Sequence, residues 1–252
     1  FIGGGGKTSL MNTLGKEFAS HGYPTLLTTT THIMKPDFLS DESYIENEDL
    51  GQLANIFTNL KKNTLPLAAL GIPEKVVNSN VKWRSPSSDF CEKTAEFSKK
   101  FSTKNPYKFL KILCEGDGSK RLPIKLPKDG EPVFFPKTDT IIGVIGLSCL
   151  GKPIKETLFR YELLPNLTSL DNHFIKSLQP ADIVTTDFLY RLCLSEKGLR
   201  KNITSQKFCI IFNQADIVDE KTLAEVIALR NQLQTKGICS HIISVKNNYI
   251  IG

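Results

Sequence analysis

No stretch of the 252-residue sequence approaches the roughly 18 uninterrupted apolar residues that a membrane helix requires, which excludes an ordinary transmembrane segment. No two of the six cysteines (Cys91, Cys114, Cys149, Cys193, Cys209 and Cys239) have C-x-x-C spacing, so neither a zinc knuckle nor a dithiol motif is written locally. They read as reduced core thiols of a cytoplasmic protein. Phe1-Ile2 runs straight into glycines, too short for the apolar stretch of a secretory signal. An initiator Met is also missing, so Phe1-Ile2 is expected to be the end of a strand whose upstream residues are not in the sequence. Continuous basic runs are absent too. The net charge of +6 is scattered, and Lys61-Lys62 and Lys99-Lys100 are expected to be solvated surface, with nucleic acid disfavoured. No internal repeat is visible.

What is present is an alternation of buried strands and amphipathic helices. Residues 7–19 carry Leu10, Met11, Leu14 and Phe18 at helical spacing and end at Gly22 and Pro24. Residues 25–31 read as a second strand closing a βαβ opening. Periodicity weakens over residues 40–107, the expected insertion. It returns with strands over 109–114, 138–147, 208–212 and 241–245 and helices over 154–164, 186–194 and 220–234. The expected fold is therefore α/β of the P-loop NTPase type. It has one domain over residues 1–252, with a mainly parallel sheet, helices on both faces and an inserted irregular segment.

A phosphate cradle needs glycines for unusual dihedrals and close backbone approach, then a helix N-terminus. Gly3, Gly4, Gly5, Gly6, Lys7, Thr8 and Ser9 supply this pattern. Phe1 stands where G-x-x-x-x-G-K-[ST] has its first glycine, so the loop is a shorter variant. Lys7 is expected to neutralise phosphate charge, and the Thr8 hydroxyl to hold Mg²⁺. The alternative is a flexible glycine linker.

Glu115 and Asp117 end a strand two residues apart. Asp117 is expected to hold Mg²⁺ with Thr8, while Glu115 orients an attacking group; an Asp-Gly turn is the competing reading. Lys120 and Arg121 either reach phosphate or are solvated. Asn213-Gln214-Ala215-Asp216 resembles the N-K-x-D box of GTPases, in which the Asp accepts two guanine hydrogen bonds. Gln214 replaces the lysine, and the alternative is a loop in which Asp216 or Asp219 caps the next helix. Ser244-Val245-Lys246 looks like the short S-A-[KL] loop behind the guanine, so Ser244 and Lys246 join the nucleotide set. The Thr28 to Thr31 hydroxyls lie either near the γ-phosphate or at a strand end.

The chain resembles the YqeC family, described as selenium-dependent hydroxylase accessory proteins. The likeness runs through Phe1 to Thr8 with Thr28 to Ile33, Gly71-Ile72-Pro73-Glu74, Glu115-Gly116-Asp117-Gly118-Ser119-Lys120-Arg121-Leu122-Pro123-Ile124-Lys125, Glu131-Pro132-Val133, Gly143 to Pro153, Arg160-Tyr161-Glu162, Glu196-Lys197-Gly198-Leu199 and Asn213 to Asp216. Gly116, where the family commonly has Ala, and the Ser/Lys-rich stretch between Asn78 and Asn105 depart from it. The resemblance implies an α/β nucleotide-binding fold and support for the maturation of molybdenum hydroxylases that carry labile selenium. Such a hydroxylase, or its cofactor-maturation proteins, would be the partner.

Three functional readings follow. The first is Mg²⁺-dependent GTP or ATP hydrolysis by a P-loop enzyme with Lys7, Glu115 and Asp117 as its catalytic residues. The second is a non-hydrolysing nucleotide switch, and the third an ATP-dependent kinase or ligase.

Overall fold

The computed structural model describes residues 1–58, 65–104, 109–168 and 178–251; Lys61-Lys62 and parts of the expected insertion lie outside them. In chain order the elements begin with β1 (Ile2–Gly3), α1 (Lys7–Ser20), β2 (Thr25–Thr29), β3 (His32–Met34), β4 (Tyr44–Ile45), α2 (Leu50–Thr58) and β5 (Leu67–Leu70). Next come β6 (Ile72–Val77), β7 (Asn80–Arg84), α3 (Ser88–Lys104), β8 (Lys111–Glu115), β9 (Ile124–Lys125), β10 (Thr140–Gly146) and α4 (Ile154–Thr157). The chain closes with β11 (Leu158–Phe159), α5 (Leu164–Thr168), α6 (Thr186–Leu194), β12 (Lys207–Asn213), α7 (Glu220–Thr235), β13 (Cys239–Ser244) and β14 (Tyr249–Ile251). The class is α/β with mainly parallel sheets.

Contacts divide the chain into two units. The first comprises residues 1–7, 117–132 and 139–252. Its sheet runs β1-β10-β12-β13-β14, parallel throughout except for β14. Parallel strands are covered on both faces and so read as unbroken apolar runs. That is why β10 (TIIGVIG) and β12 (KFCIIFN) are legible in the sequence. Val144, Ile145, Ile210, Phe212 and Ile242 are fully buried. Two of its helices, α6 and α7, begin on side-chain caps. Thr185 accepts from the Phe188 amide at 3.2 Å, and Asp219 from the Thr222 amide at 2.7 Å. A short parallel pair, β9 with β11, completes the unit.

The second unit comprises residues 8–116 and 133–138. A parallel sheet of order β4-β5-β2-β8 packs Leu26, Ile45, Ala68 and Leu70 against Leu53 and Phe57 of α2 and Phe90 of α3. An antiparallel sheet, β3-β7-β6, carries the buried Trp83. Its indole N–H donates to Glu46 at 2.9 Å.

Two expectations change. Both edges of β2 are taken, by β5 and β8, so β1 and β2 are strands of different sheets and not a βαβ pair in one. The helix expected over 154–164 is broken into α4, β11 and α5, because Arg160 turns left-handed at φ 66°.

Candidate functional site

In the first unit the glycine loop is shaped by backbone contacts. The Gly4 amide donates to Val144 O at 2.9 Å, and the Gly5 amide to Leu122 O at 3.1 Å. Gly5 has φ +75°, and a Cβ placed there would lie 2.2 Å from Gly146 Cα, so neither backbone angle nor space allows a side chain. The Gly3 amide is held by both carboxylate oxygens of Asp117, each at 3.1 Å.

Asp117 is the hub of a buried charge relay. Lys7 Nζ lies 3.3 Å from its Oδ1 and donates to Gly3 O at 2.8 Å. Lys125 Nζ lies 3.1 Å from Oδ2 and 2.5 Å from Glu131 Oε2. Arg160 then grips Glu131 as a fork, Nη1 at 2.5 Å and Nη2 at 2.8 Å. The β9–β11 pairing sets Lys125 opposite Phe159, which places Arg160 next in line. Burial acts to raise the Glu131 pKa, but the Arg160 and Lys125 contacts outweigh it and hold the carboxyl down to about 2. Lys7, Asp117 and Lys125 are each at most 3% exposed. The relay counts three cations (Lys7, Lys125, Arg160) against two anions (Asp117, Glu131), a net charge of +1.

The residues expected to read a base gather in the same unit. Asn213 donates its amide to Gly5 O at 2.9 Å, and its Oδ1 accepts from the Val245 amide at 3.1 Å. Ser244 Oγ donates to Asp216 Oδ1 at 2.6 Å and accepts from the Asn247 amide at 3.1 Å. The cap of α7 is Asp219, which removes Asp216 from the capping role. Gln214 stands left-handed at φ 71°, with its Oε1 accepting from the Ser148 amide at 3.3 Å. Lys246 is exposed, as are Lys120 and Arg121. The Lys120 ammonium sits over the Phe159 ring, 5.2 Å from its centroid.

In the second unit, Thr8 Oγ1 donates to Glu115 Oε2 at 2.5 Å, and the Glu115 carboxylate is 6% exposed. Its backbone carbonyl takes Thr29 Oγ1 at 3.1 Å and the Thr30 amide at 3.0 Å, so the threonine run serves to fix the end of β8. Ser9 is exposed at the start of α1.

A hydroxyl and a carboxylate are hard oxygen donors that fit Mg²⁺ in the presence of phosphates. Asp117 fits less well, because a divalent cation on it would compete with two ammonium groups already within 3.3 Å. Thr8 and Asp117, expected to share the metal, belong to different units. Lys125, Glu131 and Arg160 had no role in the sequence reading; they were visible only as segments of resemblance, because a relay across about 40 residues leaves no local spacing.

Among the described residues, no helix is long and apolar enough to cross a membrane. The family model described as "YqeC protein" matches residues 1–162. An "Uncharacterized protein YqeC" of Escherichia coli (strain K12) is 26% identical over 191 residues, covering 73% of this chain. The match spans 64% of that relative's length, under two thirds of it. No solved structure matches the chain.

Proposed function

The chain belongs to the YqeC family, and from that premise we propose that it binds a magnesium nucleoside triphosphate, GTP before ATP, and hydrolyses it in support of maturing selenium-dependent molybdenum hydroxylases. The observation that carries the nucleotide reading is Asn213, which joins the Gly5 carbonyl to the Val245 amide and so ties the phosphate loop to the base loop in one unit. Asp216, oriented by Ser244, offers a carboxylate to the two donors on a guanine edge; adenine has no matching pair. A site built around such hydrogen bonds rejects a ligand without them by about 10⁴–10⁵ when fully buried. Half-exposed Asp216 and the missing lysine at Gln214 predict weaker discrimination.

Phosphate would lie at the opening turn of α1, where the helix dipole favours anions. Lys7 reaches it by leaving Asp117. The four groups left behind are charge-neutral, two cations against two anions, so the surplus +1 of the relay is the charge made available to phosphate. In the second unit Thr8 and Glu115 would hold Mg²⁺, which supplies Lewis-acid stabilisation of anionic charge when bound.

The salt bridges on Asp117 favour a second reading, a non-hydrolysing switch, since a carboxylate clamped by two lysines is a poor metal ligand, and Glu115, taking the metal in its place, is not left to orient an attacking group. Calorimetry with GTP, ATP and CTP, with and without Mg²⁺, tests the nucleotide reading. Tighter GTP binding that is lost in Asp216→Ala is expected, and equal affinity for all three would refute the base assignment. Single-turnover hydrolysis measured with a molybdenum hydroxylase present separates enzyme from switch.

A further inference from the structure

Among the described residues, one group of three metal-capable side chains comes together away from the nucleotide residues: Cys209, Cys239 and His241 of the first unit. We infer that these three form a site for a borderline-soft d¹⁰ cation of the zinc class. Cys209 of β12 and Cys239 of β13 are register partners on adjacent parallel strands, so their side chains leave the sheet side by side. His241 follows Cys239 by two residues, and strand alternation returns it to the same face. The thiols lie 2.9 Å apart, with His241 Nε2 3.5 Å from Cys239 Sγ and all ligand atoms within 4.8 Å of one another.

Tetrahedral zinc, with Zn–S of about 2.3 Å and Zn–N of about 2.0 Å, needs donors about 3.5–3.8 Å apart. The thiols must open by under an ångström, and exposed Cys239 has room to turn. Two thiolates and an imidazole select a zinc-class ion over Mg²⁺, so the site does not duplicate the metal of the nucleotide. It is also remote from the base loop. Cys209 precedes Asn213 by four residues of extended strand, about 13 Å at 3.3 Å per residue. Three protein ligands leave a fourth position open to solvent or to a partner's donor.

Burial, then the neighbouring Cys239, pushes the Cys209 thiol up to about 12, so the metal must displace its proton on binding. Cys91, Cys149 and Cys193 are buried elsewhere and do not join the cluster. The expectation that all six cysteines are core thiols fails at Cys239, which is exposed. The pair is 30 residues apart in sequence, and only the β12–β13 register brings it together.

The test uses the whole chain kept reduced by a phosphine and titrated with Co²⁺, read by the thiolate-to-cobalt band in the near ultraviolet, with Zn²⁺ as competitor. One equivalent should bind and be displaced by zinc. Cys209→Ser and Cys239→Ser should lose the band. His241→Ala should keep a weakened band with affinity reduced about tenfold or more, since even groups behind a ligand typically matter that much. Cys91→Ser should behave as wild type, and Mg²⁺-dependent nucleotide binding should persist in all four. No band in the reduced protein, or a band unchanged in Cys239→Ser or in His241→Ala, would overturn the assignment.

Discussion

Lys125→Met removes one cation from the relay while nearly preserving its shape. Lys125 is 1% exposed and touches both Asp117 and Glu131. Breaking a buried pair by deleting one partner costs about 3–5 kcal/mol. Asp117 keeps Lys7 and the Gly3 amide, and Glu131 keeps the Arg160 fork, so the lower end, about 3 kcal/mol, is expected. At about 2–4 °C per kcal/mol for a chain of this size, the melting midpoint should fall by about 6–12 °C. Nucleotide affinity should fall as well, because among the described residues Lys7 becomes the one ammonium left on Asp117. Their attraction at 3.3 Å and an effective dielectric of about 20 is about 5 kcal/mol gross. If a third of that, about 1.7 kcal/mol, opposes the release of Lys7, GTP binds about 15-fold more weakly. Circular dichroism is the right probe of unfolding, since the single tryptophan, Trp83, belongs to the other unit. Asp117→Asn combined with Lys125→Met removes one charge of each sign and should recover part of the loss. A Lys125→Met protein within about 1 kcal/mol of wild type, with unchanged GTP affinity, would refute the relay.

Gly5→Ala forces a side chain into φ +75° against Gly146, at about 1–2 kcal/mol for the dihedral alone, and should abolish GTP binding in calorimetry while the chain stays folded. Thr8→Ala and Glu115→Gln should each lower the Mg²⁺-dependent gain in GTP affinity by about 10–100-fold, leaving metal-free binding nearly unchanged. Glu131, held at about 2 against an ordinary 4.5, contributes stability that is fully present above pH 4.5 and lost as pH falls from there toward 2. Urea midpoints at pH 6, 4 and 3 should therefore decline more steeply in wild type than in Glu131→Gln.

The elements legible in the sequence are those whose burial writes a long pattern. Residues 186–194, expected to be helical, coincide with α6, and β10 and β12 stand out as apolar runs. Leu67–Leu70 shows why others are not. Four apolar residues are too few to separate strand from helix, yet this segment is a fully buried strand with β4 and β2 at its two edges. Of the site, the glycines and Asn213 carry local signatures because backbone geometry, and base recognition under the proposed function, require specific residue types. Lys125 and Arg160 carry none. A buried lysine looks like a surface lysine in sequence, and only its two carboxylate neighbours reveal the difference.

Asn213 is one side chain with a hand on each loop. If the two half-ligands are offered separately, each should find the other's loop already steadied. Pyrophosphate should then strengthen the hold on guanosine, and guanosine the hold on pyrophosphate, by the same factor. A protein with that crossbar cut would treat the two fragments as strangers.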